Sequence, residues 1–85
     1  MKYKLKNGFE LEIDNSSLDN WELLEVLADI DAGKSTMITK AFPMLIGDNQ
    51  FAKLKEHMRK NGKISIAEMV ETFTEIMNQL ENGKK

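Results

Sequence analysis

Apolar and charged residues alternate along the first 14 residues of this chain. The segments YKLK and FELEI alternate, and Asn7-Gly8 between them tolerates the positive φ angles of a type I′ turn. The pattern predicts a β-hairpin over residues 1–14. One face would carry Tyr3, Leu5, Phe9, Leu11 and Ile13, and the other would pair Lys2, Lys4 and Lys6 with Glu10, Glu12 and Asp14. Because an isolated hairpin is marginally stable, its apolar face must pack on helices or on another subunit.

Residues 18–81 change to helical spacing, which predicts about four helices. The first begins near Asp19, which stands three residues before Glu22 as in a capping box. Its apolar stripe comprises Trp21, Leu24, Leu27, Ala28 and Ile30, and Leu23 and Val26 widen it. A stripe of this width predicts contacts on more than one side of the helix, with Trp21 in the core.

The second predicted helix, residues 35–46, is apolar on nearly every side. Pro43 lies inside it, so the sequence predicts a kink or break there. Its apolar positions include Met37, Ile38, Ala41, Phe42, Leu45 and Ile46.

Two further helices complete the predicted fold. Gly47 and Asp48 form a stop followed by a cap, and the helix over residues 49–60 has a narrow apolar face of Phe51, Leu54 and Met58. Residues 65–68 have capping-box spacing and begin the last helix, whose apolar seam comprises Ile66, Met69, Val70, Phe73, Ile76, Met77 and Leu80. The sequence thus predicts a single mainly α domain of the α+β type over residues 1–85, with a flexible tail at residues 82–85.

The charges are unevenly distributed, although the net charge is only −2. Residues 7–31 contain eight acids and no base, whereas residues 32–63 contain seven bases and two acids. Such halves can complement each other within one chain or head to tail between subunits.

The chain contains no cysteine, which excludes disulfides and thiolate metal sites and fits a reducing compartment. No segment approaches the roughly 20 consecutive apolar residues of a membrane span. The alternating first segment also differs from a secretory signal. We therefore expect a cytoplasmic protein without a membrane partner.

Residues 29–36, DIDAGKST, are the segment most similar to a ligand-binding motif. A phosphate-binding loop needs a glycine at position 28 and a preceding strand, but the chain has Ala28 on a predicted helix. A calcium loop would have its glycine one place early and a lysine instead of the bidentate glutamate. We interpret the segment as a helix stop at Gly33, followed by Ser35 or Thr36 as the next N-cap.

No catalytic, cofactor-binding or metal-binding set is evident in the sequence. His57 is the one histidine, and its polar neighbours predict that it is exposed. The many carboxylates have few pocket-forming residues between them. The sequence therefore predicts neither an enzyme nor a bound cofactor or metal.

A DNA-binding function is the alternative. The third helix, a glycine-containing turn and the last helix have the outline of a helix-turn-helix, with bases at Lys53, Lys55, Arg59, Lys60 and Lys63. The last helix, which would enter the DNA groove, has Glu68, Glu71 and Glu75 and no base, so it would repel phosphates. A small helical DNA-binding regulator therefore stays the second hypothesis.

The most apolar segment of the chain is the candidate partner-binding surface. Methionine side chains repack at little cost, and two of them flank the Phe42-Pro43 pair. In so small a domain, such a segment is expected to supply surface that a partner covers. The predicted partner-binding or self-association residues are Met37, Ile38, Phe42, Met44 and Leu45.

Three segments between about residues 19 and 80 have a recognisable order: WELLExLADID, then LIGDNQFxxLKEH, then GKISIxxM leading to Glu75-Ile76. This order resembles the small tail assembly chaperones of long-tailed bacteriophages and prophages of Gram-positive hosts. The shared pattern consists of apolar and capping residues and includes no catalytic signature.

The resemblance implies a mostly helical protein that binds the long tape measure protein, keeps it in solution and brings tail tube subunits to it. Such a protein acts in the host cytoplasm, binds no nucleic acid and is absent from the mature virion. A chaperone of this kind needs adaptable apolar surface and an acidic exterior, and often self-associates to cover that surface.

Overall fold

The computed structural model describes residues 2–82 of the 85-residue chain, with the backbone only at residues 81 and 82. It confirms a mainly helical protein with an N-terminal antiparallel hairpin. The strands are β1 (Lys2–Lys4) and β2 (Glu10–Glu12), and the helices are α1 (Asn15–Leu18), α2 (Trp21–Asp31), α3 (Ile38–Ile46), α4 (Asp48–Met58) and α5 (Ile66–Asn82). A 3-10 turn, Ser35–Met37, precedes α3. The predicted tail lies outside the described residues except for Asn82, the last residue of α5.

The hairpin has the predicted apolar face but a different turn. The Leu5 N–H donates to the Phe9 carbonyl over 2.9 Å, so the loop consists of residues 6–8. Gly8 has a φ of +90°, but Asn7 lacks the positive φ that a type I′ turn requires, so that prediction was wrong. The three-residue loop places Leu5 opposite Phe9 and thereby keeps the apolar residues on one face, whereas a two-residue turn would pair Phe9 with a lysine.

The apolar face of the hairpin packs on the helices. Its most buried residues are Leu5, Leu11 and Ile13. The side chain of Gln50 on α4 connects β2 to α3, because its Nε2 donates to the carbonyls of Glu12 and Ile46 over 2.6 and 2.7 Å. Its Oε1 accepts from the Glu12 N–H over 2.7 Å. On the opposite face the register places Lys2 beside Glu12 and Lys4 beside Glu10, as predicted.

Two helices follow the hairpin where one was predicted. The side chain of Asp14 accepts from the Ser16 N–H and caps the short α1. The side chain of Asn20 accepts from the Glu22 N–H over 3.0 Å and caps α2. The capping box predicted from Asp19 was therefore wrong, because Asp19 ends α1 instead.

Helix α2 ends at Asp31, and Gly33 follows its C-cap as the left-handed residue, as predicted. Gly33 has a φ of +101°, its N–H donates to the Ile30 carbonyl, and the Lys34 N–H donates to the Asp29 carbonyl, both over 3.0 Å. These two bonds form the Schellman motif, in which a left-handed residue satisfies the last carbonyls of a helix. Residues 29–36 are a helix stop in the structure too.

Helix α3 starts without a side-chain cap and continues through its proline. Ser35 and Thr36 lie in the 3-10 turn and cap neither that turn nor α3, so the predicted N-cap was wrong. Pro43 has no N–H to donate to the Thr39 carbonyl. Even so, the helix continues to Ile46, and the predicted break does not occur.

The starts of α4 and α5 follow their predicted positions closely. Gly47, with a φ of +85°, is the single residue between α3 and α4. Asp48 lies in the first turn of α4 and its side chain does not cap the helix, so the cap predicted there was wrong. The Ser65 hydroxyl accepts from the Glu68 N–H over 3.3 Å, which confirms one half of the predicted capping box.

The core is centred on α3, which packs against α2, α4 and α5. The ring of Phe42 stacks on Phe51, with 5.1 Å between centroids, and meets Phe73 edge-on at 5.3 Å. Leu54 and Ile76 complete this centre and are fully buried. The apolar faces predicted for α4 and for the C-terminal half of α5 are confirmed.

Candidate partner-binding surface

The segment predicted as a partner surface belongs largely to the core. Phe42 and Leu45 are each 1 % exposed, so neither contacts a partner in this conformation, and their assignment to a surface is corrected. Met37, Ile38 and Met44 are half-buried against the core, and their role in partner binding stays a prediction. Helix α3 can be apolar on nearly every side because α2, α4 and α5 pack around it and cover those sides.

The most exposed aromatic side chain lies on α2. Trp21 is 69 % exposed and Leu24 is 55 % exposed, so the prediction that Trp21 lies in the core was wrong. The buried residues of α2 are Leu23 and Val26, and Ile30 is half-buried beside them. Since successive residues are about 100° apart around a helix, this buried row lies opposite Trp21.

The exposed side of α2 has an apolar row with acidic margins. Trp21, Leu24 and Ala28 follow i, i+3, i+7 spacing and are all exposed. We refer to this row, together with the exposed acids beside it, as the α2 face; the acids are Glu22, Glu25 and Asp31. The acids were the overlooked signal in the sequence, because most acids of α2 lie on the same side as Trp21 and mark that side as exposed.

Little of the negative charge on α2 is neutralised by bases of the described residues. The Lys34 Nζ lies 4.0 Å from the Asp29 carboxylate, in a pair that is largely exposed at the lysine and half-exposed at the aspartate. Within residues 2–82, Glu22, Glu25 and Asp31 have no basic partner. The α2 face therefore combines exposed apolar area with uncompensated negative charge.

A second exposed apolar pair lies at the start of α5. Ile66 is 82 % exposed and Val70 is 38 % exposed, so the N-terminal part of the predicted seam is not buried. The buried positions of α5 begin at Thr72 and Phe73. Met69, between Ile66 and Val70, is half-buried against the core, so Ile66 and Val70 mark the exposed side at the start of α5.

A groove of about 880 Å³ lies between the hairpin loop, the end of α4 and α5. Its polar groups bond one another: the Lys6 N–H donates to the Glu75 carboxylate over 2.9 Å, and the His57 Nε2 lies 3.0 Å from the Asn7 carbonyl. His57 is exposed, as predicted. These two bonds attach the hairpin loop to α4 and α5, which gives His57 and Glu75 a structural role.

Helices α4 and α5 have the order expected for a helix-turn-helix, and the turn between them contains Asn61 and Gly62 with positive φ angles. The Arg59 guanidinium donates to the Glu56 carboxylate over 2.9 Å. The Lys60 Nζ lies 3.9 Å from the Glu68 carboxylate. Two of the five bases on which the DNA-binding hypothesis depends are thus paired within the chain.

Among residues 2–82, no group of three or more His, Asp or Glu side chains is placed to hold a metal ion. None of the helices in this part of the chain is long and apolar enough to cross a membrane.

Comparison of the chain with known proteins gave no match to a protein-family model, a curated protein or a solved structure.

Proposed function

We propose that this protein is a non-enzymatic assembly chaperone that binds the tape measure protein of a long phage tail and recruits tail tube subunits to it. The observation that carries the proposal is the exposure of Trp21 and Leu24 on a small protein with a well-packed core. Contiguous apolar surface on a folded domain is typical of a site that another macromolecule covers. The resemblance of three segments to tail assembly chaperones supports this choice of partner.

In this function the protein acts in the host cytoplasm, uses no cofactor and leaves before the virion is complete. A tape measure protein is long and helical, so its apolar side chains are prone to aggregate before the tail tube encloses them. A chaperone covers such side chains with its own apolar surface, and its acidic groups keep the complex in solution.

The proposal predicts a very long open reading frame directly downstream of the gene, and co-expression with its product tests the function. We expect that product to be a tape measure protein, and we expect its soluble fraction to rise when the chain is present. An unrelated aggregation-prone helical protein serves as the control and should not respond. The absence of a tape measure gene nearby, or an unchanged soluble fraction, would contradict the proposal.

The order of α4, turn and α5 favours a DNA-binding regulator as the second candidate function. A gel shift with duplex DNA at physiological salt separates the two functions. The chaperone predicts no shift, whereas phosphate contacts from Lys53, Lys55 and Lys63 predict a shift that weakens steeply as salt rises.

A further inference from the structure

We propose that the α2 face binds one side of a basic amphipathic helix of the partner, with Trp21 and Leu24 as the apolar anchors. This inference rests on the proposed function. It adds the place on the chaperone at which the partner binds and the chemistry of the segment that is bound.

The apolar row has the length and shape to accept a helix. Helix α2 has 11 residues and is therefore about 16 Å long, and the row of Trp21, Leu24 and Ala28 follows its axis. A partner helix with apolar residues at i, i+3 and i+7 can lie along this row. Trp21 supplies a large, stiff contact of the type that dominates binding energy, and the small Ala28 leaves room for a larger partner side chain.

The charge around the row selects the partner. Acids border it on both sides, with Glu22 and Glu25 on one margin and Asp31 on the other, and α2 contains no base. A helix with Lys or Arg beside its apolar face complements this arrangement, which speeds encounter and disfavours acidic competitors. The same acids repel nucleic acid phosphates and anionic lipid surfaces.

A second copy of the chain fits the α2 face less well than a basic amphipathic helix. Within residues 2–82, the helix with the most bases is α4, with Lys53 and Lys55. Leu54 and Met58 on this helix are buried. Phe51 is half-buried, with the Phe42 ring stacked on it and the Lys55 Nζ 4.8 Å from its centroid, so no free apolar row lies beside those lysines. The described part of a second copy therefore offers no basic helix with a free apolar side.

Titration with a designed peptide tests the inference directly. The probe is a synthetic leucine-lysine peptide of about five helical turns, with leucines on one side and lysines beside them. Trp21 is the only tryptophan in the chain, so its fluorescence reports on the α2 face alone. Binding should shift the emission of Trp21 to shorter wavelength and reduce its quenching by acrylamide, because the ring leaves water.

Two comparison peptides and two protein variants test the apolar contact and the charge attraction separately. One peptide has glutamate in place of each lysine, and the other has the original composition in an order that forms no apolar side; neither should bind. Leu24→Lys should weaken binding of the probe roughly tenfold or more, because the complex loses the apolar contact that Leu24 makes with the peptide. Ile66→Lys also replaces an exposed apolar residue by lysine, but on α5, and should leave the affinity for the probe unchanged. Circular dichroism checks that both variants are folded.

The inference is wrong if the glutamate or reordered peptide binds as well as the probe, if no peptide binds, or if Leu24→Lys has no effect. A blue shift of Trp21 on concentrating the protein alone would assign the α2 face to a second copy and would also overturn it.

Co-expression with the tape measure protein distinguishes a failure of the inference from a failure of the proposed function. If the unmodified chain and Leu24→Lys both solubilise the partner, the α2 inference fails and the function stands. If neither does, the function fails, and the peptide titration still decides whether the α2 face binds a basic helix. Loss of solubilisation in Leu24→Lys but not in Ile66→Lys supports both.

Discussion

Replacing Gln50 by alanine is expected to loosen the hairpin from the helices. The side-chain amide of Gln50 forms hydrogen bonds with the N–H and the carbonyl of Glu12 and with the carbonyl of Ile46, over 2.6 to 2.7 Å. Because the N–H of Leu5 bonds to Phe9 within the hairpin, alternation along β2 directs the backbone groups of Glu12 away from β1. The Gln50 side chain therefore bonds to β2 in the manner of a third strand.

Gln50→Ala is expected to lower the free energy of unfolding by about 2 kcal/mol. Each of the three hydrogen bonds contributes about 1 kcal/mol net. Glu12 is exposed, so water replaces part of what its backbone loses, and this lowers the sum. In a domain of this size, a loss of about 2 kcal/mol lowers the melting temperature by about 10 °C.

Urea denaturation followed by circular dichroism measures this loss. Asn49→Ala is the matched control, because Asn49 is exposed and adjacent in the first turn of α4. Gln50→Glu should be at least as destabilised as Gln50→Ala at neutral pH, since a carboxylate cannot donate to the two carbonyls. Hydrogen exchange at the Glu12 amide should accelerate in Gln50→Ala. Equal midpoints for Gln50→Ala and Asn49→Ala would refute the reasoning.

Three further predictions concern the core and the helix ends, and each uses urea denaturation. Phe42→Ala removes a ring packed between two other aromatic rings and should lower the free energy of unfolding by about 4 kcal/mol. A urea transition close to that of the unmodified protein would contradict this packing. Asn20→Ala should cost about 1 kcal/mol through loss of the α2 cap, whereas Asp19→Ala should cost less; the reverse order would favour the capping box predicted from the sequence. Gly33→Ala should cost about 1 kcal/mol because its φ of +101° is left-handed, and Gly33→Asn should cost less because asparagine tolerates that region. Equal losses in the two Gly33 variants would contradict this account.

Helices α3 and α2 have different parts in the proposed chaperone. Phe42 and Leu45 on α3 lie in the core, so substitutions there would destabilise the protein and lower any activity indirectly. Trp21 and Leu24 on α2 are exposed, so substitutions there should change binding while the fold persists. Function is therefore better tested on α2 than on the more apolar α3.

The sequence by itself determined several features that depend on neighbours along the chain, although it misplaced the caps of α2 and α3 and the type of the hairpin turn. The alternation of residues specified which side of the hairpin is apolar, and the φ freedom of Gly33 specified where α2 ends. The apolar spacing of α4 specified its buried face, and Ser65 marked the start of α5. Each of these features involves residues within a few positions of one another, so the pattern carries the information.

The tertiary structure decided which apolar residues of α2 and α3 are covered. The sequence of α3 is apolar on nearly every side, and this pattern is the same whether neighbouring helices or a partner cover it. The packing of α2, α4 and α5 around α3 is what buries Phe42 and Leu45. Trp21 is the opposite case, because α2 packs with Leu23 and Val26 inward and leaves the tryptophan in water. Burial depends on how many elements meet at a position, and that number is set by contacts between residues distant in the chain.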